Sequence, residues 1–167
     1  MYEFMHHLKI SSDLPNAARK IAFQNPYGAH VSTAFLPVNL LEVEKTSGNI
    51  IGGFPEQLKK FYLELGAGTV HKSKAGLETS SHNYVINPVE IPKLLDGTCE
   101  WMMPYTQIEP NTLPFFERDV DLFLCLHPQS DNPNAVHWMW GEKICDSLVE
   151  FFQRLVEDPD WFNPPKP

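Results

Sequence analysis

The stretch that decides the fold is Phe54-Pro-Glu-Gln-Leu-Lys-Lys-Phe-Tyr-Leu-Glu-Leu-Gly-Ala-Gly68. Its apolar residues recur at a period near 3.6, which predicts a helix with one buried stripe. Those residues are Phe54, Leu58, Phe61, Tyr62 and Leu65. Pro55 stands where a first helical residue tolerates proline, because that N–H has no helical partner. Gly66 stands where a left-handed residue ends a helix, so the pattern predicts a cap and a tight Gly-Ala-Gly turn.

The composition indicates one globular domain of mixed α and β structure. A chain of 167 residues can bury a sizeable core, and one domain is the usual arrangement at this length. Hydrophobic residues make up 43% and charged residues 20%, which is typical of a folded rather than a disordered chain. Fifteen prolines favour short elements and long loops over a helical bundle.

The formal net charge of −8 bears on the kind of partner. Binding to phosphates needs clustered Lys and Arg, and the sequence has no such cluster, so nucleic acid is not the expected partner. The charge permits a basic protein partner, since complementary fields speed encounter. A moderately acidic isoelectric point is also common in soluble proteins.

Cysteine usage and the amino terminus favour a reduced, cytoplasmic protein. Cys99, Cys125 and Cys145 are widely spaced and form no CxxC pair, so neither a zinc site nor a dithiol redox site is supported. Cys125 lies in an apolar run and Cys145 beside a helix start, where small buried thiols are common. No signal peptide or membrane span is apparent in the sequence. We expect no cofactor.

Helix signals occur at both ends of the chain. Asp13 can cap a short helix through about Phe23, and Pro37 opens a second helix that ends at Thr46-Ser47-Gly48. Near the other end, Ser147 and Glu150 form a capping box, in which each side chain satisfies an orphan backbone donor. The closing helix has a buried stripe and ends at Asp158-Pro159. The stripe consists of Leu148, Phe151, Phe152, Leu155 and Val156.

Strand signals fill the middle of the chain. A short turn or helix is predicted from Asn87-Pro88 through Leu95, a turn at Arg118-Asp119, and a polar loop over residues 128–134. Irregular strand structure is predicted over Val70–Ile86, ending in Tyr84-Val85-Ile86. Further strands are predicted at Trp101–Met103, Leu113–Glu117, Val120–Leu126 and Ala135–Trp140. Helices first, then successive strands, then a closing helix favour an α+β sheet over a doubly wound one.

Four histidines are candidates for a ligand or metal site. His71 and His82 lie in loop-like sequence, whereas His127 and His137 flank the polar loop and could meet across a strand pair, with Asp131 between them. No HExxH, HxH or GxSxG pattern supports this, so we predict no metal and no catalytic residue. A small hydrolase or metal-binding protein that uses these histidines is the less favoured alternative.

Glu117, Asp119 and Asp121 form an acidic group around Arg118. Glycosidase-like use of two of these carboxylates would require one raised pKa in a pocket. The simpler interpretation is a solvated hairpin turn. The same carboxylates are candidates for contact with a basic protein partner.

Trp138 and Trp140 are two residues apart and share one face if they lie on a strand. Burial is the simpler interpretation, and the alternative is an aromatic binding surface, because Trp is a favoured anchor in interfaces. Phe115 and Phe116 would lie on opposite faces of their strand, so one of them is a candidate for exposure. The predicted partner-binding residues are therefore Glu117, Asp119, Asp121, Trp138 and Trp140.

The run Ile51–Gly68 resembles the signature of the SUKH superfamily, which includes fungal regulators of cell-wall (glucan) assembly and many bacterial immunity proteins. Leu36–Lys45 is similar to the first helix of that family. Three later segments are similar, in the same order, to its final strand pair and closing helix: Asp121–Leu126, Ala135–Trp138 and Ile144–Phe152. The family's glycine-rich turn before the penultimate strand is missing from Glu117–Asp121, and residues 1–35 match nothing in the family.

The resemblance implies a central twisted, mostly antiparallel sheet flanked by helices, within a SUKH-like domain at residues 36–157. Residues 1–35 would be a segment of uncertain packing, and 158–167 a proline-rich tail. The implied function is a non-enzymatic immunity protein that binds a toxin domain, often a nuclease, and blocks it. A regulatory or scaffold role like that of the fungal proteins is the alternative.

Overall fold

The fold is α+β, with an antiparallel sheet flanked by helices, as the sequence predicts. The computed structural model describes residues 1–8, 33–70, 83–99, 108–109, 111–119 and 121–162. Its seven strands pair antiparallel in simple chain order, from β1 to β7. They are β1 (Thr33–Leu36), β2 (Ala67–Val70), β3 (Tyr84–Val85), β4 (Leu113–Asp119), β5 (Leu122–Leu126), β6 (Val136–Trp138) and β7 (Lys143–Cys145).

Four α-helices are present in the described part of the chain: α1 (Leu40–Asn49), α2 (Glu56–Glu64), α3 (Ile91–Leu95) and α4 (Leu148–Glu157). Two short 3-10 helices, Glu3–Leu8 and Pro88–Glu90, are also present in the described residues. None of the helices in these ranges is long and apolar enough to cross a membrane. The helix predicted at Asp13–Phe23 and the strand predicted at Trp101–Met103 lie outside the described residues.

Helix α2 follows the predicted apolar stripe closely. All five stripe residues are at most 6% exposed. Pro55 is the N-cap and not the first helical residue, and its side chain cannot accept a capping bond. The N-terminal end of the helix is capped instead by a residue distant in sequence, because the Gln57 N–H donates to Asn134 Oδ1 at 3.2 Å. The Gln57 side chain in turn accepts from the Val149 N–H at 3.1 Å, which ties the starts of α2 and α4 together.

Gly66 joins α2 to the sheet at a point of very close backbone approach. Its φ is +110°, in the left-handed region that glycine tolerates. A Cβ at this position would stand 1.9 Å from the carbonyl oxygen of Leu36 in β1. The predicted cap is therefore right, but the predicted Gly-Ala-Gly turn is wrong. Ala67 and Gly68 already belong to β2, because pairing with β1 begins at Leu36 opposite Ala67.

An aromatic cluster holds α2 and α4 together over the sheet. The rings of Phe61 and Phe152 stack with centroids 4.3 Å apart and planes 16° from parallel. Tyr2 packs edge-on against both rings and is fully buried, as is Met5. The Tyr2 hydroxyl donates to the Gln57 carbonyl at 3.1 Å. The core thus draws on residues that precede the 36–157 segment.

The N-terminal caps of helices α1 and α4 agree with the sequence-based predictions to different degrees. Helix α4 is capped as predicted, since Ser147 Oγ accepts from the Glu150 N–H at 3.1 Å. Helix α1 begins three residues after Pro37, because Asn39 is its N-cap and accepts from the Leu41 N–H at 2.8 Å. Local hydrogen-bond chemistry at Asn39 outweighs the preference of proline for a first helical turn.

Two β-bulges in β4 overturn what strict alternation predicts. The register with β5 slips between Pro114 and Phe116, and again between Glu117 and Asp119. A bulge turns two consecutive side chains toward the same side of a strand. Phe115 and Phe116 are therefore both fully buried, and neither is exposed. The strand also continues through Arg118, so the predicted turn at Arg118-Asp119 is wrong, and the chain turns instead at Asp121, whose φ is +56°.

We predict that Gly66→Ala lowers the free energy of unfolding by about 3 kcal/mol or more, since the new methyl group collides with backbone and the positive φ is strained. Gly48→Ala is the matched control. Gly48 lies in α1, and a Cβ at this position would meet nothing within 4 Å. Alanine there should therefore stabilise the helix by up to about 1 kcal/mol. Urea unfolding followed by circular dichroism measures both. Equal stability of Gly66→Ala and the parent protein would contradict the close approach.

Candidate partner-binding site

The register of the sheet gathers four of the five predicted partner-binding residues at one end of the molecule. Trp138 in β6 pairs with Leu124 in β5, and the Met139 N–H donates to the Phe123 carbonyl at 3.1 Å. The turn after β6 therefore lies beside the start of β5, and with it beside the β4–β5 turn that contains Asp121. Asp119, Asp121, Trp138 and Trp140 all belong to this end of the sheet.

The turn at residues 139–141 connects β6 to β7 and shapes this end. The Gly141 N–H donates to the Trp138 carbonyl, and the Trp138 N–H donates to the Glu142 carbonyl, both at 2.8 Å. Gly141 has a φ of +94°. This is a three-residue hairpin loop with glycine in its left-handed position. The prediction of a strand through Trp140 is therefore wrong, because the strand stops at Trp138 and the chain reverses into β7.

The rings of Trp138 and Trp140 stack on each other, with centroids 4.9 Å apart and planes 7° from parallel. Trp138 is 5% exposed and packs against Phe162, with ring centroids 5.8 Å apart. Trp140 is 51% exposed. The two interpretations of the sequence thus apply to one residue each: Trp138 belongs to the core, and Trp140 presents an indole to solvent.

One carboxylate is bonded to the exposed indole, and a second lies beside the turn that carries it. The Trp140 Nε1–H donates to Glu142 Oε2 at 3.3 Å. The Glu109 carboxylate lies beside the turn, since a Cβ at Gly141 would stand 3.3 Å from its Oε2. Both residues are exposed, and neither forms an ion pair with any residue in the described ranges. We refer to Trp138, Trp140, Gly141, Glu142 and Glu109 as the Trp140 site.

Sequence reasoning missed Glu109 and Glu142, although a signal for Glu142 exists. Gly141 lies three residues after Trp138, and the apolar-containing run Lys143-Ile144-Cys145 begins two residues after Gly141. This is the pattern of a short hairpin with glycine in the left-handed conformation. Recognition of that hairpin would have placed Glu142 next to the tryptophans. Glu109 comes from a segment distant in sequence, and no local pattern points to it.

The acidic residues of β4 and its turn differ in their surroundings. Glu117 is buried within β4 at 4% exposed, whereas Asp119 and Asp121 are half-buried. A fully solvated hairpin is therefore not what the structure contains at Glu117. The prediction that these three carboxylates contact a partner stays a prediction.

Arg118, which the acidic residues surround in sequence, is 7% exposed. Its guanidinium pairs with Asp160 at 3.1 Å and lies 5.7 Å from the ring centroid of Phe162. Burial lowers the pKa of Arg118, and the charges of Asp160 and Asp119 oppose that shift. Because Phe162 also contacts Trp138, the segment after α4 links this ion pair to the Trp140 site. The predicted tail thus packs on the domain up to Phe162, and residues 163–167 lie outside the described part.

The structure brings two of the four candidate histidines together. The rings of His127 and His137 meet edge to face, with centroids 4.4 Å apart. His137 Nδ1 lies 3.2 Å from the Ala135 carbonyl oxygen, which can only accept, so Nδ1 carries the proton. His71 and His82 lie outside the described residues. Among the residues that are described, no three His, Cys, Asp or Glu side chains are grouped closely enough to hold a metal ion.

The three cysteines are free thiols and all are buried. Burial raises the pKa of Cys125 to about 12 and that of Cys145 to about 11. A thiol with so high a pKa carries almost no thiolate at neutral pH and is a poor nucleophile. The interpretation of Cys125 and Cys145 as small buried side chains agrees with these surroundings.

A second exposed surface is apolar and was missed. Leu40 and Leu41, at the start of α1, are 52% and 75% exposed, and α1 packs beside the 3-10 helix that carries the exposed Val89. Leu41 is two residues before Val43, which is fully buried in the same helix. Residues two apart on a helix lie on different faces, so that spacing already indicated that Leu41 points away from the core.

An open groove of about 510 Å³ lies between the first 3-10 helix and α4. Two of its three charged side chains, those of Glu150 and Arg154, are already engaged with each other and with the core. Glu150 pairs with Arg154 at 2.7 Å, and the Arg154 guanidinium lies 4.8 Å from the ring centroid of Trp161. The groove therefore offers a partner less unengaged charge than the Trp140 site does.

The different burial of the two tryptophans predicts different effects on stability. Trp138→Ala should lower the free energy of unfolding by about 3–5 kcal/mol, the usual cost of removing a buried aromatic ring. Trp140→Ala should cost no more than about 1.5 kcal/mol, the range of an aromatic pair contact. Urea unfolding followed by far-UV circular dichroism compares them. Equal losses would show that Trp140 serves the core.

The histidine pair predicts a loss of stability in acid. Burial, and then the neighbouring charge of His127, lower the pKa of His137 below 6.5, and Lys143 acts in the same direction. Below about pH 6.5, His137 therefore binds a proton more readily in the unfolded chain than in the folded chain. The free energy of unfolding keeps its full value above this pH and falls as the pH drops below it. His137→Gln should remove part of that fall, measured by urea unfolding at pH 7.5 and pH 5. An unchanged pH dependence would contradict the lowered pKa.

Comparison with known proteins gives one similarity that spans most of the chain. The immunity protein YxxD of Bacillus subtilis (strain 168) is 26% identical over 133 residues, which cover 77% of this chain and 86% of that protein. No protein-family model and no solved structure matches the chain. The similarity to YxxD supports a relationship with immunity proteins.

Proposed function

We propose that this chain is a non-enzymatic immunity protein of the SUKH type, which neutralises a cognate toxin domain by binding it directly in the cytoplasm. The observation that carries the proposal is the similarity to the immunity protein YxxD, which extends over most of both chains. A similarity that covers 86% of the relative involves its whole fold and not one shared motif.

The arrangement of elements supports the SUKH assignment. The segments that resemble the family form α1, α2, β5, β6 and α4, in the order that the family has. In this proposal residues 36–157 form the SUKH-like domain. Residues 1–35 and 158–167 flank it, and they contribute most of β1 to the sheet and Tyr2, Phe35 and Phe162 to the core.

The electrostatics support a basic partner. The chain carries a formal charge of −8, and the Trp140 site adds two exposed carboxylates to an exposed indole. Enzymes that act on nucleic acid bind phosphates with Lys and Arg, so their active sites are positively charged. An acidic surface that fits over such a site excludes the substrate through charge complementarity and shape, without any reaction.

Growth protection tests the proposal most simply. The chain is produced in cells together with each toxin candidate encoded beside its own gene, and growth is compared with cells that carry the candidate alone. We expect growth to be restored, because a bound toxin cannot reach its substrate. Failure to protect against every toxin candidate encoded beside the gene would contradict the proposal.

Salt dependence tests the electrostatic part of the proposal. Raising NaCl from about 0.1 M to about 1 M shortens the screening length from about 10 Å to about 3 Å. Association with the toxin domain should then slow by about tenfold or more, measured by stopped-flow fluorescence, because steering by opposite charges is lost. An association rate that does not change with salt would contradict a charge-complementary interface.

A further inference from the structure

We infer that the Trp140 site receives one cationic side chain, an arginine, from the protein partner. The inference rests on the proposed function in one respect only, namely that the arginine belongs to the bound toxin. The site itself is defined by contacts within this chain, and its preference for a guanidinium can be measured without any toxin.

The exposed indole offers one free face. One face of Trp140 stacks on Trp138 in a nearly parallel arrangement, 7° from coplanar. Because the ring is still 51% exposed, the solvent-accessible part is the opposite face and its rim. The electron-rich face of an indole attracts cations, and tryptophan attracts them more strongly than tyrosine or phenylalanine.

Two carboxylates lie near the indole, one bonded to its rim and one beside the turn that carries it. Glu142 Oε2 lies at the rim of the ring, 3.3 Å from Nε1. The Glu109 carboxylate lies next to Gly141, which belongs to the same turn as Trp140. A guanidinium is flat, so it can stack on the indole while its N–H groups point sideways to a carboxylate. An ammonium is a compact point charge and cannot do both equally well, so the geometry favours arginine over lysine.

The site is held in place before any ligand arrives. Trp138 is buried against Phe162, and Trp140 is fixed by the stack and by its bond to Glu142. The backbone of Glu109 is also held, because its carbonyl accepts from the Thr112 N–H at 3.3 Å and from the Thr112 hydroxyl. A preformed site loses little conformational entropy on binding.

No cation of the described residues occupies this position. The two cation–ring contacts in the described part of the chain join Arg118 to Phe162 and Arg154 to Trp161. Lys143, which follows Glu142 directly, pairs with Asp146 at 2.7 Å. Two carboxylates would repel a phosphate or a carboxylate ligand, so the chemistry of the site selects a positive group.

The first experiment uses a small probe. The peptides acetyl-Gly-Arg-Gly-amide, acetyl-Gly-Lys-Gly-amide and the uncharged citrulline analogue are titrated into protein with ¹⁵N-labelled tryptophan, and the indole N–H signals are followed by NMR. We expect a saturable shift of the Trp140 signal with the arginine peptide, a weaker one with lysine and none with citrulline. Equal shifts with arginine and citrulline would overturn the inference.

Charge-neutral variants sharpen this test. Glu142→Gln keeps an acceptor for the Trp140 Nε1–H, so the indole stays in place while the charge is lost. It should weaken binding of the arginine peptide by about tenfold. Glu157→Gln is the matched control, since Glu157 is equally exposed and is not part of the site, and it should leave the affinity unchanged. Equal affinity in Glu142→Gln and the parent would overturn the inference.

The second experiment uses the toxin domain and separates the two proposals. Trp140→Ala and Glu142→Gln should each weaken toxin binding by about 10–100-fold, mostly through faster dissociation, whereas Leu41→Ala should not. Tight toxin binding that both site variants leave unchanged would overturn the inference while the proposed function stands. Selective binding of the arginine peptide without any growth protection would overturn the proposed function and leave the site's chemistry in place.

Discussion

The stack of Phe61 on Phe152 is the contact on which the rest of the structure depends, because it fixes α2 and α4 against each other over the sheet. The two helices are far apart in sequence, and each would expose a broad apolar face without the other. Around the stack, Tyr2, Phe35 and Phe115 pack edge-on against its two rings, and all three are fully buried. The hydrophobic effect therefore supplies most of the stability, and Gln57 satisfies the backbone donor that α4 leaves open at Val149.

The same core extends without interruption to the exposed end of the molecule. Phe151 of α4 contacts Phe162, Phe162 contacts Trp138, and Trp138 carries Trp140. The indole of Trp140 is anchored through this chain of aromatic contacts to helix α4 and the core. Rigid anchors of this kind are what protein interfaces use for their strongest contacts.

Periodicity and caps in the sequence were enough to find the helices that build the core. The apolar stripe of α2, the Ser147 cap of α4 and the turn of helix after Asn87-Pro88 all lie where local patterns placed them. These features depend on residues three or four apart, so a single stretch of sequence contains the information. The α+β class followed from the order of the elements.

The features that sequence reasoning missed depend on pairing between distant strands. The bulges in β4 that bury both Phe115 and Phe116 arise from the register with β5, and no pattern within β4 encodes them. Gly66 was recognised as a helix cap, but its contact with the Leu36 carbonyl exists only because β1 lies beside β2. Trp138 and Trp140 were expected to share one face of a strand, but Trp140 lies in the turn after β6 and its ring stacks on Trp138. Which of them is buried is decided by Phe162, more than twenty residues away.

Hydrogen–deuterium exchange of this chain, alone and saturated with the toxin domain encoded beside its gene, tests most directly whether the Trp140 site is the contact surface. The account predicts slower exchange in peptides that cover residues 138–146 and 108–113, with little change in α1. Protection confined to the start of α1, where Leu40 and Leu41 are exposed, would contradict it and assign binding to the apolar surface instead.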